Sequence, residues 1–252
     1  MPRQLTQALI EEWVSLTKGQ FNVRDIWGEL GLDSAETKKH LRTILERLEK
    51  AGLIQQLDKG FGFYRRVDND AVEIDWANAN ISNTVDLAFP FGEEQYVKIF
   101  PKSIIIVAGS KNAGKTAYLY DFIKRNMANY KIDLYNSETG PEQMKERFTS
   151  LGISPTPSLK VYERYDNFAD VIQPDRISVI DYLDLNSEVY LVGTEIDLIF
   201  RKLQAGVAVI GLQKAPPIAT IVKGVKKLIE RDLAYGGGFT AKRACIYITI
   251  GS

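Results

Sequence analysis

The chain has 252 residues, with 32 Lys and Arg against 32 Asp and Glu and 45% apolar positions, the balance of a globular protein of one large domain or two small ones. Zero formal net charge excludes a generally sticky polycation, so any nucleic-acid contact must be local. Lone Cys245 excludes an internal disulfide, lone His40 excludes a Cys/His zinc cluster, and the longest apolar runs, such as Ile104 to Ala108 and Val207 to Leu212, are strand-length and too short to span a bilayer. The start, Met1-Pro2-Arg3-Gln4, lacks the apolar core of a signal peptide, so a cytoplasmic protein with no membrane partner is expected.

Residues 5–66 read as helices followed by a hairpin. Leu5, Leu9, Ile10, Trp13, Val14 and Leu16 lie on one helical stripe. Val23, Ile26, Trp27 and Leu30 mark a second short helix that Gly31 can end as a left-handed cap. Ser34 suits the N-cap of a third helix carrying Leu41, Ile44, Leu45 and Leu48, and Gly52 stops it. Leu53 to Leu57 and Phe61 to Val67 then read as two strands around Asp58-Lys59-Gly60. Three helices and a hairpin over residues 1–67 resemble a winged helix-turn-helix. Lys38, Lys39 and Arg42 on the third helix, with Lys59, Arg65 and Arg66 on the wing, are the candidate DNA-binding residues. Glu36, Glu46 and Glu49 share that helix, so a protein-docking role is the alternative.

Residues 68–97 carry Asp68, Asp70, Glu73, Asp75, Asp86, Glu93 and Glu94 and no Lys or Arg, which phosphates would repel. Trp76, Leu87, Phe89 and Phe91 make this stretch too apolar for a free linker, so it is expected to be a connector packed on the domain that follows, residues 98–252.

That domain opens with the strongest motif in the chain. The buried-strand run Ser103 to Ala108 leads into Gly109-Ser110-Lys111-Asn112-Ala113-Gly114-Lys115-Thr116, a full match to G-x-x-x-x-G-K-[ST], and an apolar helix-compatible stretch follows. The spacing has a chemical reason. Gly109 and Gly114 let the backbone curl so that successive N–H groups point at phosphate oxygens, and the helix beginning near Lys115 adds its positive dipole end. Lys115 would reach the β- and γ-phosphates of ATP, and the Thr116 hydroxyl would ligate Mg2+.

Further strands supply the other groups. Ile132 to Asn136 leads to Ser137-Glu138-Thr139, where Glu138 can orient water for in-line attack or merely start the helix from Pro141. Ile177 to Asp181 ends in a carboxylate where a Mg2+ partner belongs in an α/β sheet. Val207 to Leu212 ends at Gln213, an amide able to sense the γ-phosphate or simply a satisfied strand-end amide, and the segment from Ala215 to Lys223 reads as a mobile loop.

The order phosphate loop, Glu138, Asp181, Gln213 resembles the RecA-like ATPases, and within them the DnaB-type replicative helicase group. Ile180-Asp181-Tyr182-Leu183-Asp184-Leu185 looks like that group's second nucleotide motif, Asn136-Ser137-Glu138-Thr139 like its Ser-Leu-Glu-Met segment, and Gly211-Leu212-Gln213-Lys214 like its Leu-Ser-Gln-Leu segment. In size the chain is similar to stand-alone RecA-like ATPases of phage or mobile elements. The resemblance implies an α/β RecA-like core with a parallel-rich sheet, Mg-ATP as cofactor, and a homo-oligomer with nucleotide between subunits. Lys115 would bind phosphate, Glu138 would be the general base, Thr116 and Asp181 would serve the metal, and Gln213 would be the sensor. A neighbour would supply a cation in trans, for which Lys242 and Arg243, after the glycine-rich and flexible-looking loop Ala234 to Thr240, are the candidates; solvent-facing charge is the other reading of both. Three functions follow as expectations: an ATP-driven motor or loader on DNA, whose track includes Lys223, Lys226, Lys227, Tyr235 and Phe239; an ATP-gated winged-helix DNA-binding regulator; and a small-molecule phosphotransferase, for which no acceptor signature is present.

Overall fold

The computed structural model describes residues 5–17, 19–58, 62–68, 71–182, 191–222, 225–229 and 231–251. The chain divides into two compact units, Met1–Ala79 and Asn80–Ser252, later than the composition change near residue 67. Among the described residues, no helix is long and apolar enough to cross a membrane.

The first unit runs α1 (Gln7–Leu16), β1 (Gln20–Asn22), α2 (Val23–Leu30), α3 (Ala35–Lys50), β2 (Ile54–Asp58) and β3 (Phe63–Arg66). Each helix has a chemical start. Thr6 accepts from Leu9 N, Asn22 and Asp25 form a reciprocal capping box, and Ser34 Oγ accepts from Thr37 N at 3.1 Å. Gly31, at φ 63°, ends α2 in the left-handed conformation. The apolar stripes meet in one core of Ile10, Val14, Phe21, Ile26, Leu41, Ile44, Leu45, Leu48 and Ile54. Leu16 is exposed instead. The sheet has a strand beyond the expected pair: β1 pairs antiparallel with β3, giving the order β1-β3-β2. Three residues are too few to show an alternating pattern, so this strand exists through its pairing and through Phe21, which stacks on Tyr64 at 5.9 Å.

The second unit is α/β. It contains β4 (Ser103–Gly109), α4 (Lys115–Asn126), β5 (Ile132–Asn136), α5 (Pro141–Leu151), β6 (Leu159–Glu163), β7 (Ile177–Asp181), α6 (Leu191–Lys202), β8 (Val207–Gln213), β9 (Ile218–Val222), β10 (Val225–Ile229), α7 (Gly238–Ala241) and β11 (Ala244–Ile250). Six strands form one parallel sheet in the order β11-β4-β8-β7-β5-β6, while β9 and β10 form a separate antiparallel hairpin. The near-continuous apolar runs of β4, β7 and β8 follow from burial on both faces. Ile105, Val107, Val179 and Val209 pack with α4 on one side, and Ile104, Ile106, Ile180 and Ile210 pack with α6 on the other. Each fully buried Ile or Val contributes roughly 1.5–3 kcal/mol through removal from water. Although β5 follows β4 in sequence, β8 and β7 lie between them.

The acidic connector splits in behaviour. Leu87 and Phe89 enter the core, Phe89 against Phe122 with ring centroids 5.5 Å apart. Buried Asn126 of α4 stitches the segment down, its Oδ1 accepting from Ala88 N at 2.9 Å and its Nδ2 donating to Ala88 O at 2.8 Å. Phe91 is largely exposed but lies against Tyr118 with ring centroids 5.9 Å apart, and Trp76, in the first unit, is exposed. Apolar composition does not distinguish a side chain that finds a facing groove from one that finds none.

Candidate functional site

The site lies where β4, β5, β7 and β8 end, at the carboxyl edge of the parallel sheet. After Gly109 the chain turns sharply into α4. Gly114 caps that helix at φ 93°, a conformation without penalty only for glycine, and Asn112 is also left-handed at φ 61°. Left-handed residues within such a turn let successive N–H groups converge on an anion. The cleft above the loop has a volume of about 630 Å³, and its wall includes Lys111, Asn112, Gly114, Lys115, Thr116, Glu138 and Gln213. That volume lies in the range of small-molecule and cofactor sites.

Lys115 is 8% exposed, and its Nζ donates to Gly109 O at 3.0 Å and Ser110 O at 2.9 Å. Burial pushes its pKa down, and the charges of Glu138 and Asp181 pull it back up. The ammonium is therefore partly desolvated and held by neutral carbonyls, a state that charge-assisted bonds to an anion would improve. Gly109 makes room for it: a Cβ there would stand 2.8 Å from Lys115 Cγ. Gly109→Ala is accordingly expected to displace Lys115 and, on the nucleotide reading proposed below, to weaken Mg-ATP binding by about tenfold or more, a loss on the order of 1.4 kcal/mol, with the melting temperature little changed. Titration calorimetry and a thermal melt check both halves.

Asp181 is fully buried at the end of β7. Its Oδ1 accepts from Thr116 Oγ1 at 3.2 Å, and its Oδ2 has no hydrogen-bond partner. Burial pushes its pKa up to about 6; Thr116 opposes this, Glu138 adds to it, and Arg147 and Lys115 oppose it. A hydroxyl and an unsatisfied buried carboxylate oxygen side by side fit a divalent cation. Among the described residues no cluster of three His, Cys, Asp or Glu side chains forms a protein-only metal site. Two protein oxygens are fewer than a protein-only metal cage provides; a cation held mainly by waters and ligand oxygens is compatible with them.

Glu138 is exposed to the cleft on a turn that Asn136 staples shut. Asn136 Nδ2 donates to Thr139 O at 2.6 Å, and its Oδ1 accepts from Thr139 N at 3.2 Å and from Thr139 Oγ1 at 2.8 Å. Ser137 ties this turn to the end of β7, with Ser137 Oγ donating to Tyr182 O at 2.8 Å and Ser137 N to Asp181 O at 3.0 Å. Gln213 stands opposite Gly109 across the β4–β8 ladder, and its carbonyl accepts from Tyr235 N at 2.9 Å. The neighbouring Lys214 N donates to Gly109 O at 3.0 Å.

Other expected elements are arranged differently. The segment after Ala215 is a regular hairpin, with Ile218 paired to Ile229 and Val222 to Val225. Its β-branched residues favour a ladder over a loop. The glycine-rich turn is helical over Gly238–Ala241. Thr240 Oγ1 donates to Gly237 O at 2.7 Å and lies 3.1 Å from Tyr247 Oη, which accepts from Ala234 N at 2.8 Å, so this turn is tied down rather than free. Lys242 and Arg243 both reach Asp197 of α6, at 3.2 and 2.6 Å. Leu183, Asp184 and Leu185 of the motif, together with Lys59 and Lys223, lie outside the described residues, as do the side chains of Lys226 and Lys227.

In the first unit Lys39 and Arg42 are exposed on α3. Lys38 sits over the Trp27 ring, 4.7 Å from its centroid. Arg65 donates to Gln55 Oε1 at 2.6 and 3.0 Å, and Arg66 donates to Ser15 O at 3.0 Å.

The α5 wall of the cleft escaped the reading of the sequence. Arg147 of α5 lines the cleft beside Gln143 and Ser150. The signal is there once the helix is drawn, since Met144, Phe148 and Leu151 form the apolar stripe and Gln143, Arg147 and Ser150 the face beside it.

No family model and no curated protein matches the chain. Among solved structures, the crystal structure of the RadB recombinase matches with a TM-score of 0.39 and 11% sequence identity, over 58% of this chain and 73% of that one.

Proposed function

We propose that this chain binds and hydrolyses Mg-ATP on a RecA/DnaB-like core and uses the cycle to act on DNA. One observation carries the reading: Lys115, Thr116, Glu138 and Gln213 line a single cleft, and Asp181 is bonded to Thr116 at its floor. The strand order supports it, because β8 between β4 and β7 brings Gln213 to the same edge as Glu138 and Asp181.

The loop amides and Lys115 hold the phosphates, Lys115 exchanging two carbonyls for phosphate oxygens. Thr116 and Asp181 hold Mg2+, which when bound neutralises the charge that develops on the phosphates. Glu138 accepts the proton of a water lined up for in-line attack, kept in place by the Asn136 staple. Gln213 feels the terminal phosphate, and its carbonyl bond to Tyr235 passes the change to the turn that bears exposed Tyr235 and Phe239. Those aromatics suit stacking on bases. Assembly into a homo-oligomer with nucleotide between subunits belongs to the same reading. So does a winged helix-turn-helix in the first unit, with Lys39 and Arg42 on DNA phosphates.

The separate core of the first unit favours a second reading, an ATP-gated DNA-binding regulator. Phosphate release measured with no DNA, single strands and duplex separates the two. A motor shows DNA-stimulated turnover that Glu138→Gln removes. A regulator shows duplex binding that survives Glu138→Gln and turnover indifferent to DNA. Absence of ATP turnover under all three conditions would defeat the hydrolase reading.

A further inference from the structure

Among the described residues, the cleft contains an arginine with no carboxylate paired to it. Helix α5 is fixed by its apolar side: Met144 is buried, and Phe148 packs edge-on against Tyr120 with ring centroids 4.9 Å apart. One step around the helix, Arg147 is turned into the cleft that also contains Lys115, Thr116 and Glu138. It is half-buried, none of the ion pairs among the described residues involves it, and its charge acts on Asp181 from a distance. Four other arginines of this unit are committed: Arg125 to Asp121 at 2.8 Å, Arg176 to Asp133 at 2.8 Å, Arg243 to Asp197 at 2.6 Å, and Arg164 to the carbonyls of Asp166 and Asn167; Arg201 and Arg231 are exposed and lie outside this cleft. Arg147 is close enough for its charge to act on Tyr120, which ends at Thr139 beside Glu138.

We propose that Arg147 is a phosphate ligand supplied by the chain itself, set to grip the terminal phosphate of a nucleoside triphosphate from the α5 side while Lys115 holds it from the loop. A planar guanidinium presents paired donors that match phosphate oxygens, and a half-buried fork without a carboxylate loses little on engaging them. The position matters for specificity. Glu138 and Gln213 mark the side of the cleft where the terminal phosphate reacts, so a cation facing them distinguishes a triphosphate from a diphosphate. By contrast Lys242 and Arg243 would first have to leave Asp197. The inference rests on the cleft being a nucleotide site, and it adds a contact that this reading does not itself require.

The test uses the full chain, with Mg-ATP and Mg-ADP titrated by calorimetry into wild type, Arg147→Ala and Arg147→Lys, and a thermal melt of each without nucleotide. Arg147→Ala should weaken ATP about tenfold or more, one charged contact's worth, while ADP stays within about threefold and the nucleotide-free melt is unmoved; Arg147→Lys should recover part of the ATP affinity. An unchanged ratio of ATP to ADP affinity overturns the proposal, whether both fall together or neither falls. A lowered melt with that ratio unchanged identifies a structural cation and overturns it too. Wild-type protein that takes up neither nucleotide defeats the nucleotide reading and this inference with it, whereas wild type that binds both, beside an Arg147→Ala variant of unaltered preference, defeats this inference alone.

Discussion

Lys115→Ala is expected to reduce Mg-ATP affinity by about two orders of magnitude or more and to bring turnover to background, while the protein remains folded. The size follows from what is lost. Truncating a buried, hydrogen-bonded charge that faces an opposite charge costs on the order of 2–5 kcal/mol, or about 30-fold to several thousand-fold. Persistence of the fold follows from the free state. There the ammonium is desolvated and bonded only to the carbonyls of Gly109 and Ser110, with its pKa pushed down by burial. Removing it therefore also removes an unfavourable burial. The carbonyls it leaves border a cleft open to water, and the helix beyond keeps its packing through Leu119, Phe122 and Ile123. Calorimetric titration and a thermal melt on one preparation check the prediction. A variant that binds Mg-ATP as tightly as wild type would remove Lys115 from the phosphate site.

Asp181→Asn is expected to do two opposite things: abolish Mg-dependent hydrolysis and stabilise the nucleotide-free protein at neutral pH. The sign follows from linkage. Asp181 has its folded pKa pushed up to about 6, above the ordinary 3.8, chiefly by burial. A carboxyl raised in this way is favoured in its protonated form by the fold. Its ionisation costs nothing below about pH 4, costs progressively more between about pH 4 and 6, and costs a full ~3 kcal/mol above that. Asparagine keeps an acceptor for Thr116 Oγ1 and carries no charge to desolvate. Denaturant unfolding should thus show Asp181→Asn more stable than wild type by up to ~3 kcal/mol at pH 8, with the gap closing near pH 4. A gap that is the same at both pH values, or a variant less stable at pH 8, would contradict a buried ionised carboxylate. The buried oxygen behind this cost is Oδ2, which has no hydrogen-bond partner; on the proposed reading it is the one that meets the cation, an exchange of stability for function.

Much of this site is legible one residue at a time. The loop from Gly109 to Thr116 is local: its spacing, the apolar strand before it and the helix after it all lie within about two dozen consecutive residues; of its two glycines only Gly114 is left-handed, while Gly109 ends β4 in ordinary backbone and serves by making room for Lys115. Asp181 and Gln213 are visible because an apolar run that ends in a polar side chain marks a strand end at a ligand edge. Buried strands on both sides of the phosphate loop are likewise written as runs of Ile and Val.

What escaped the linear reading depends on partners distant in sequence. Strand β1 is made by β3 more than forty residues later, and the segment after Ala215 becomes a ladder only because Val225 to Ile229 lies against it. Lys242 and Arg243 look available until Asp197, some 45 residues earlier, is placed beside them. Arg147 looks like an ordinary surface charge until Phe148 is seated on Tyr120. The chain carries in its local order the residue types, turns and strand ends that line the cleft. Which charges are neutralised and which stay free is set by long-range packing, because ion pairing and desolvation depend on distances in space that no spacing along the chain specifies.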